Sequence, residues 1–283
     1  MKKLIITGDD FGLSLPVNEA IEEAHRRGIL TTASLMVGAK ATADAVERAK
    51  RIPSLKVGLH LVLVDGLPVL PPQAVPDLVT EKGEFSSHLV CAGINFFFRL
   101  KVRQQLEKEI RAQFQAFQNT GLLLDHVNSH HHIHLHPTVL GLIVKVGREY
   151  GMRAMRLPYE PPLLSWLASR KALLGKLIAW PCLFPWLTLL KTRLKEADLR
   201  WNNFIFGMND SGHMHLDLVL RFLRYLPEGV TEIYFHPAID HRSKNELTLK
   251  ENRFQDELEV LTHPSLREAL LASDIERIVF SDL

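Results

Sequence analysis

Asp9 and Asp10 stand side by side in ITGDDFG, and His60 interrupts the otherwise apolar run VGLHLVLV. Six histidines crowd the stretch HVNSHHHIHLHP at 126–137, and His236 ends IYFHP. Carboxylates and imidazoles are the groups that hold a catalytic divalent metal and move protons near neutral pH. One aspartate and two histidines from separate elements leave coordination positions open to water and substrate, as a catalytic centre requires. His60 and His130 are the candidate imidazole ligands, with one carboxylate of the Asp9–Asp10 pair beside them. The second carboxylate, Asp9, is placed to take a proton from water, and His236 suits protonation of a leaving amine.

Each of these residues also has a plainer explanation. A helix cap accounts for one aspartate but not for two. Successive strand residues point to opposite faces, so both carboxylates reach one site only where the strand bends. Gly8 and Gly12 flank the pair and make such a bend feasible. A lone His60 would read as a satisfied core histidine; it becomes a ligand candidate because the other clusters exist. Along an extended chain His130, His132, His134 and His136 share one side. His130 is nearest the strand end, His132 and His134 are expected to line the pocket or orient a ligand, and the remainder face solvent. Among Asp125, Arg156, Asp240 and His241, only Arg156 ranks above a surface pair, and it is assigned to the substrate.

The elements that must position these groups alternate along the whole chain. Strands are expected at Leu4–Thr7, Thr32–Val37, Val57–Val64, Leu122–Asn128, Met152–Arg156, Glu232–His236 and Arg277–Ser281. Helices are expected from Val17 to near Gly28, at Ala41–Lys50 and Val102–Asn119, from Pro137 through Thr138–Tyr150, and at Leu216–Tyr225. Short strands separated by helices predict parallel strands with crossover helices, and in such folds function gathers at strand carboxyl ends. The Asp pair, His60, the histidine run and His236 all fall there. The expected architecture is a single α/β domain over 1–283, an irregular (β/α) TIM-like barrel, with a doubly wound open sheet as the competitor.

Composition narrows the remaining classes. The 283 residues carry a formal net charge of only +2, which gives no broad basic footprint for nucleic acid. Cys91 and Cys182 are far apart and form no disulfide framework. The start MKKLIITGDDFG turns acidic too soon for a secretory signal, so a cytoplasmic location is expected. One segment breaks the alternation: Trp166, Trp180, Trp186 and Trp201, the chain's four tryptophans, all lie within 161–201. Leu177–Leu190 there is uncharged, is interrupted by Pro181 and Pro185, and is flanked by lysines and arginines. It falls short of the roughly 20 apolar residues of a membrane span. This hydrophobic insertion is expected to lie peripherally on the inner membrane, to hold a greasy ligand through Trp166 and Trp180, or to be a helical excursion that packs on the barrel or across a homodimer interface.

Gly8-Asp9-Asp10-Phe11-Gly12, Gly58-Leu59-His60-Leu61, Ser129-His130-His131-His132-Ile133-His134 and Phe235-His236-Pro237-Ala238, in this order, resemble the motifs of the YdjC/ChbG carbohydrate deacetylases. The resemblance spans nearly the whole chain. It implies an irregular β/α barrel that removes the acetyl group from N-acetylated sugars with a divalent metal; the family leans towards Mg²⁺, while two histidines and an aspartate suit Zn²⁺ by ligand softness. It implies Asp10, His60 and His130 as metal ligands, Asp9 as general base and His236 as acid. The chain departs from the family's usual aspartate at one place, Asn128. The Trp-rich segment resembles the branch associated with hopanoid biosynthesis, which implies an N-acetylglucosamine carried on a hopanoid glycolipid. Alternatives are deacetylation of a soluble chitooligosaccharide such as diacetylchitobiose, or a non-catalytic lipid- or metal-binding protein.

Overall fold

A computed structural model describes residues 1–171, 173–239 and 254–283, with backbone only between 173 and 183. The strands are β1 (Lys2–Phe11), β2 (Thr32–Leu35), β3 (Lys56–Leu61), β4 (Leu124–Ser129), β5 (Phe204–Phe206), β6 (Gly229–Phe235) and β7 (Ile275–Arg277). The helices are α1 (Leu15–Arg27), α2 (Thr42–Arg51), α3 (Leu89–Phe98), α4 (Leu100–Asn119), α5 (Pro137–Glu149), α6 (Pro162–Ser169), α7 (Leu173–Glu196), α8 (Leu216–Arg224), α9 (Phe254–Thr262) and α10 (Pro264–Leu271). The sheet runs β4-β3-β2-β1-β6-β5 with every pair parallel, and β7 pairs with the start of β1. The strands curve into a half-barrel. Beyond β4 the segment at 154–155 makes isolated parallel bridges, Val127 to Met155 and Ala154 to Arg200.

The half-barrel interior is layered from apolar to polar. At the amino ends of the strands Ile5, Ala154, Ile278 and Phe280 form a small buried cluster. Above it Thr7 donates to Glu232 at 2.6 Å, and Arg156 bonds the same carboxylate. Asp9, Asn128 and His60 follow at the carboxyl ends, where parallel barrels concentrate function. Gly58 is required by close approach: a Cβ there would lie 2.4 Å from the His126 ring.

Several sequence expectations need correction. Met152–Arg156 is not a strand: Ala154 and Met155 each make one isolated parallel bridge. Arg277–Ser281 divides into β7 and a 3₁₀ turn at Phe280–Asp282. The histidine run is not extended: His130–Leu135 is a 3₁₀ turn in which His131 and His132 hold left-handed φ values of 53° and 50°. Pro181 and Pro185 do not end a helix, since α7 runs through both. A proline removes one backbone donor and strains the preceding turn, but it can kink a helix without stopping it. The 161–201 segment forms α6 and α7, with α7 packed on α5 and α6 on α8. No described helix is long and apolar enough to cross a membrane.

Candidate active site

A bend at the end of β1 brings both aspartates to one place. The β1–β2 register shifts between Gly8 and Phe11, and Asp10 sits at a left-handed φ of 63°. An L-residue rarely holds this conformation, and such strain clusters at functional sites. Asn18 on α1 braces the loop, accepting from the Gly12 N–H at 2.7 Å while donating to Ala41 and Asp44.

Asp10 Oδ1 lies 3.3 Å from His60 Nε2 and 3.3 Å from His130 Nδ1, and the two ring nitrogens are 3.4 Å apart. Ligands bound tetrahedrally at about 2.0–2.1 Å stand roughly 3.3–3.4 Å from one another, so the donor set suits a divalent metal. Asp10 Oδ1 is also buried without a hydrogen-bond partner. Burial would raise the Asp10 carboxyl, but the two imidazoles and His236 hold it well below the usual carboxylate range. His130 is pushed down by burial and pulled above its ordinary value by Asp10.

A second layer orients this group. Asn128 Oδ1 accepts from His60 Nδ1 at 2.7 Å, which fixes the tautomer that turns Nε2 toward Asp10. The same amide donates to Asp9 Oδ1 at 3.1 Å and Ser34 Oγ at 2.8 Å. Arg156 is fully buried and bidentate on Asp9, at 2.6 Å to Oδ2 and 3.0 Å to Oδ1. Burial would raise the Asp9 carboxyl, yet Arg156 overrides it and keeps Asp9 ionised.

His236 faces both aspartates across a cavity of about 40 Å³ that Val17 and Phe254 also line. Its Nδ1 is 3.2 Å from Ser211 Oγ, and its backbone N–H donates to Glu257 at 2.6 Å. A larger cleft of about 410 Å³ opens beside His130, walled by Leu13, Met36, Val62 and Leu67 with Lys40 and Asp65.

The structure therefore gathers Asp9, Asp10, His60, His130 and His236, as their strand-end positions suggested. The expected substrate contacts fare differently. Arg156 sits beneath Asp9 with its guanidinium fully engaged, so burial removes it from substrate. His134 is also fully buried, with Nδ1 2.6 Å from Ser129 Oγ, and burial and Arg156 lower it to about 3. His132 is half-buried, 3.2 Å from the Tyr234 hydroxyl, and is held well below its ordinary value by burial and Arg156. Trp166 packs under the Arg170 guanidinium at 5.1 Å. The side chain of Trp180 and residues Asp240 and His241 lie outside the described residues. Sequence reasoning missed Glu232, Tyr234 and Ser34. The first two alternate with His236 along β6, a signal that was present in TEIYFH.

A half-barrel of parallel strands carrying an open Asp-His-His group with a paired carboxylate and a facing imidazole is a frame suited to a hydrolase, with a donor set compatible with a divalent metal. The profile of the YdjC-like protein family matches residues 3–272, and the chain belongs to that family. A carbohydrate deacetylase of Brevibacillus brevis is 34% identical over 291 positions, covering 99% of each chain. One from Vibrio vulnificus is 31% identical over 99% of this chain and 96% of its own. A crystal structure of an Enterococcus faecalis protein, named for cellobiose-phosphate cleavage, has TM-score 0.75 at 29% identity and covers 99% of this chain and 98% of that one.

Proposed function

We propose that the protein is a metal-dependent hydrolase that removes the N-acetyl group from an N-acetylglucosamine-type amino sugar carried on a hopanoid glycolipid. One observation carries the chemistry: a buried, unpartnered Asp10 oxygen 3.3 Å from the ring nitrogens of both His60 and His130. The relatives named carbohydrate deacetylases support the sugar amide as substrate.

Asp10, His60 and His130 would hold the cation, magnesium or zinc. When bound, it supplies Lewis acidity toward a carbonyl oxygen and makes a nearby water more acidic. Asp9, kept ionised and fixed in orientation by Arg156, takes a proton as water attacks the acetyl carbon. The carbon–nitrogen bond then breaks, and His236 delivers a proton to the departing amine. Water is consumed; acetate and a free amine leave. Asn128 holds His60 and Asp9 in mutual register throughout.

The glycolipid rests on the 161–201 segment, where Phe184 and Trp186 are 51% and 43% exposed and Lys191, Arg193 and Lys195 lie on the same helix. Such a surface suits an apolar tail near a membrane. The test is mass spectrometry of an N-acetylglucosaminyl-hopanoid incubated with metal-loaded protein. A loss of about 42 mass units that a chelator abolishes is expected. If only diacetylchitobiose loses acetyl, the chemistry stands and the lipid carrier is wrong; if neither does, the deacetylase reading fails.

A further inference from the structure

We infer that α3 is an interfacial anchor that seats the protein on an anionic lipid surface. The helix, LVCAGINFFF, buries Ala92 and Phe96 and leaves its opposite side open. Val90 is 76% exposed, Ile94 55%, Phe97 42% and Phe98 75%, with Leu100 at 69% just beyond. Positions 90, 94 and 97–98 fall on one helical stripe. Isolated exposed apolar residues are ordinary, but a contiguous set on one short helix marks a surface that is covered in use.

The surrounding charge selects the cover. From Phe85 to Leu106 the chain has no aspartate or glutamate, whereas Arg99, Lys101 and Arg103 follow the apolar stripe directly. Arg103 donates to the Phe96 and Phe97 carbonyls, which fixes a cation at the carboxyl end of α3. Arg99 pairs with Asp77 at 2.9 Å, and Lys101 is exposed. A second copy of the chain docked twofold on this face would set Lys101 and Arg103 against their own images, since Asp77 is already held by Arg99 and 85–106 has no carboxylate. Anionic headgroups meet the same cations favourably while the stripe enters the acyl boundary.

The location also fits. The Phe96 and Phe97 rings meet His136 edge-on at 6.0 Å and 6.1 Å, where the histidine turn passes into α5. The stripe thus borders the loop side of the half-barrel that carries the site. This inference does not depend on the deacetylase reading, because binding is measured without substrate.

The experiment is co-sedimentation of the full chain with phosphatidylcholine vesicles, with and without about one-third phosphatidylglycerol. Wild type is expected to bind the anionic vesicles preferentially, and added salt to weaken the binding. The double variant Val90→Asp/Phe98→Asp should lose at least about tenfold in partitioning, with an unchanged circular dichroism spectrum and Tm. Lys101→Glu, which keeps the stripe, should lose less and only on anionic vesicles. The inference is overturned if wild type ignores anionic vesicles, or if the double variant binds as wild type does. It is equally overturned if wild type is a dimer that the double variant splits while neither binds lipid, for then the face joins two copies.

Discussion

Asp9 and Asp10 are joined by one peptide bond, yet Asp9 meets Arg156 through both oxygens while Asp10 Oδ1 is buried with no hydrogen-bond partner. The bulge at the end of β1 creates the difference: one carboxylate stays in the ladder and points to the buried guanidinium, the other turns through a left-handed residue toward the histidines. Asp9 belongs to a closed network in which its carboxylate and that of Glu232 both bond the Arg156 guanidinium. Asp10 belongs to an open one, an Asp-His-His group whose spacing suits a divalent cation. Burial is opposed chiefly by the Arg156 guanidinium at Asp9, and at Asp10 by imidazoles whose nitrogens also suit a divalent cation.

The sharpest break of this comparison is to remove each carboxylate's charge in turn. Asp10→Asn or His60→Ala should abolish both metal retention, read by elemental analysis, and turnover. Asp9→Asn should keep the metal and lose about 10²–10⁴-fold in kcat. If Asp9→Asn turned over normally, the base would lie elsewhere; if Asp10→Asn kept its metal, the ligand set would be wrong.

Next in size is Arg156→Met, which leaves Asp9 and Glu232 buried without their cation and should destabilise by about 3–5 kcal/mol. The pH dependence carries a sign. With Arg156 present the Asp9 carboxyl is lowered, so its contribution exists above the unfolded value and is lost as pH falls through the folded one. Without Arg156, His60 and His236 remain to oppose burial, so the carboxyl rises above its wild-type value and the variant's penalty shrinks as pH falls. Denaturant melts should show the gap between the two proteins narrowing from about pH 8 to about pH 5. A gap that widened would contradict the closed-network account.

The open network was more legible in sequence than the closed one. Asp10, His60 and His130 sit at strand carboxyl ends, where topology alone predicts convergence, and two glycines announced the bend. The Arg156 pairs with Asp9 and Glu232 span 147 and 76 residues, and no local spacing encodes them. The histidine turn was misread because alternation assumes extended backbone, whereas His131 and His132 are left-handed. α3 was unread for a related reason: LVCAGINFFF has the composition of core, and only packing reveals which side faces solvent. The parallel α/β sheet followed from alternation, although a TIM-like barrel was expected where the strands curve into a half-barrel, and β5, with three residues, was too short to announce itself.

Asn128 bears on both halves of the comparison, and its variants sharpen it with the smallest expected effects. Its carbonyl orients His60 and its amide N–H₂ donates to Asp9, two tasks that can be separated. Asn128→Ala removes both and should weaken metal affinity by about 10–100-fold together with turnover. Asn128→Asp keeps an acceptor for His60 but replaces a donor to Asp9 with a second carboxylate. Metal affinity should then hold or rise, because an anionic partner makes the imidazole a stronger ligand, while kcat falls and its acidic limb moves to higher pH as like charges raise one carboxyl. Isothermal titration with zinc and a kcat–pH series on the same variants read the two tasks independently. Equal losses of metal and turnover in both variants would mean that Asn128 serves the open network alone, and that the two aspartates are positioned without reference to each other.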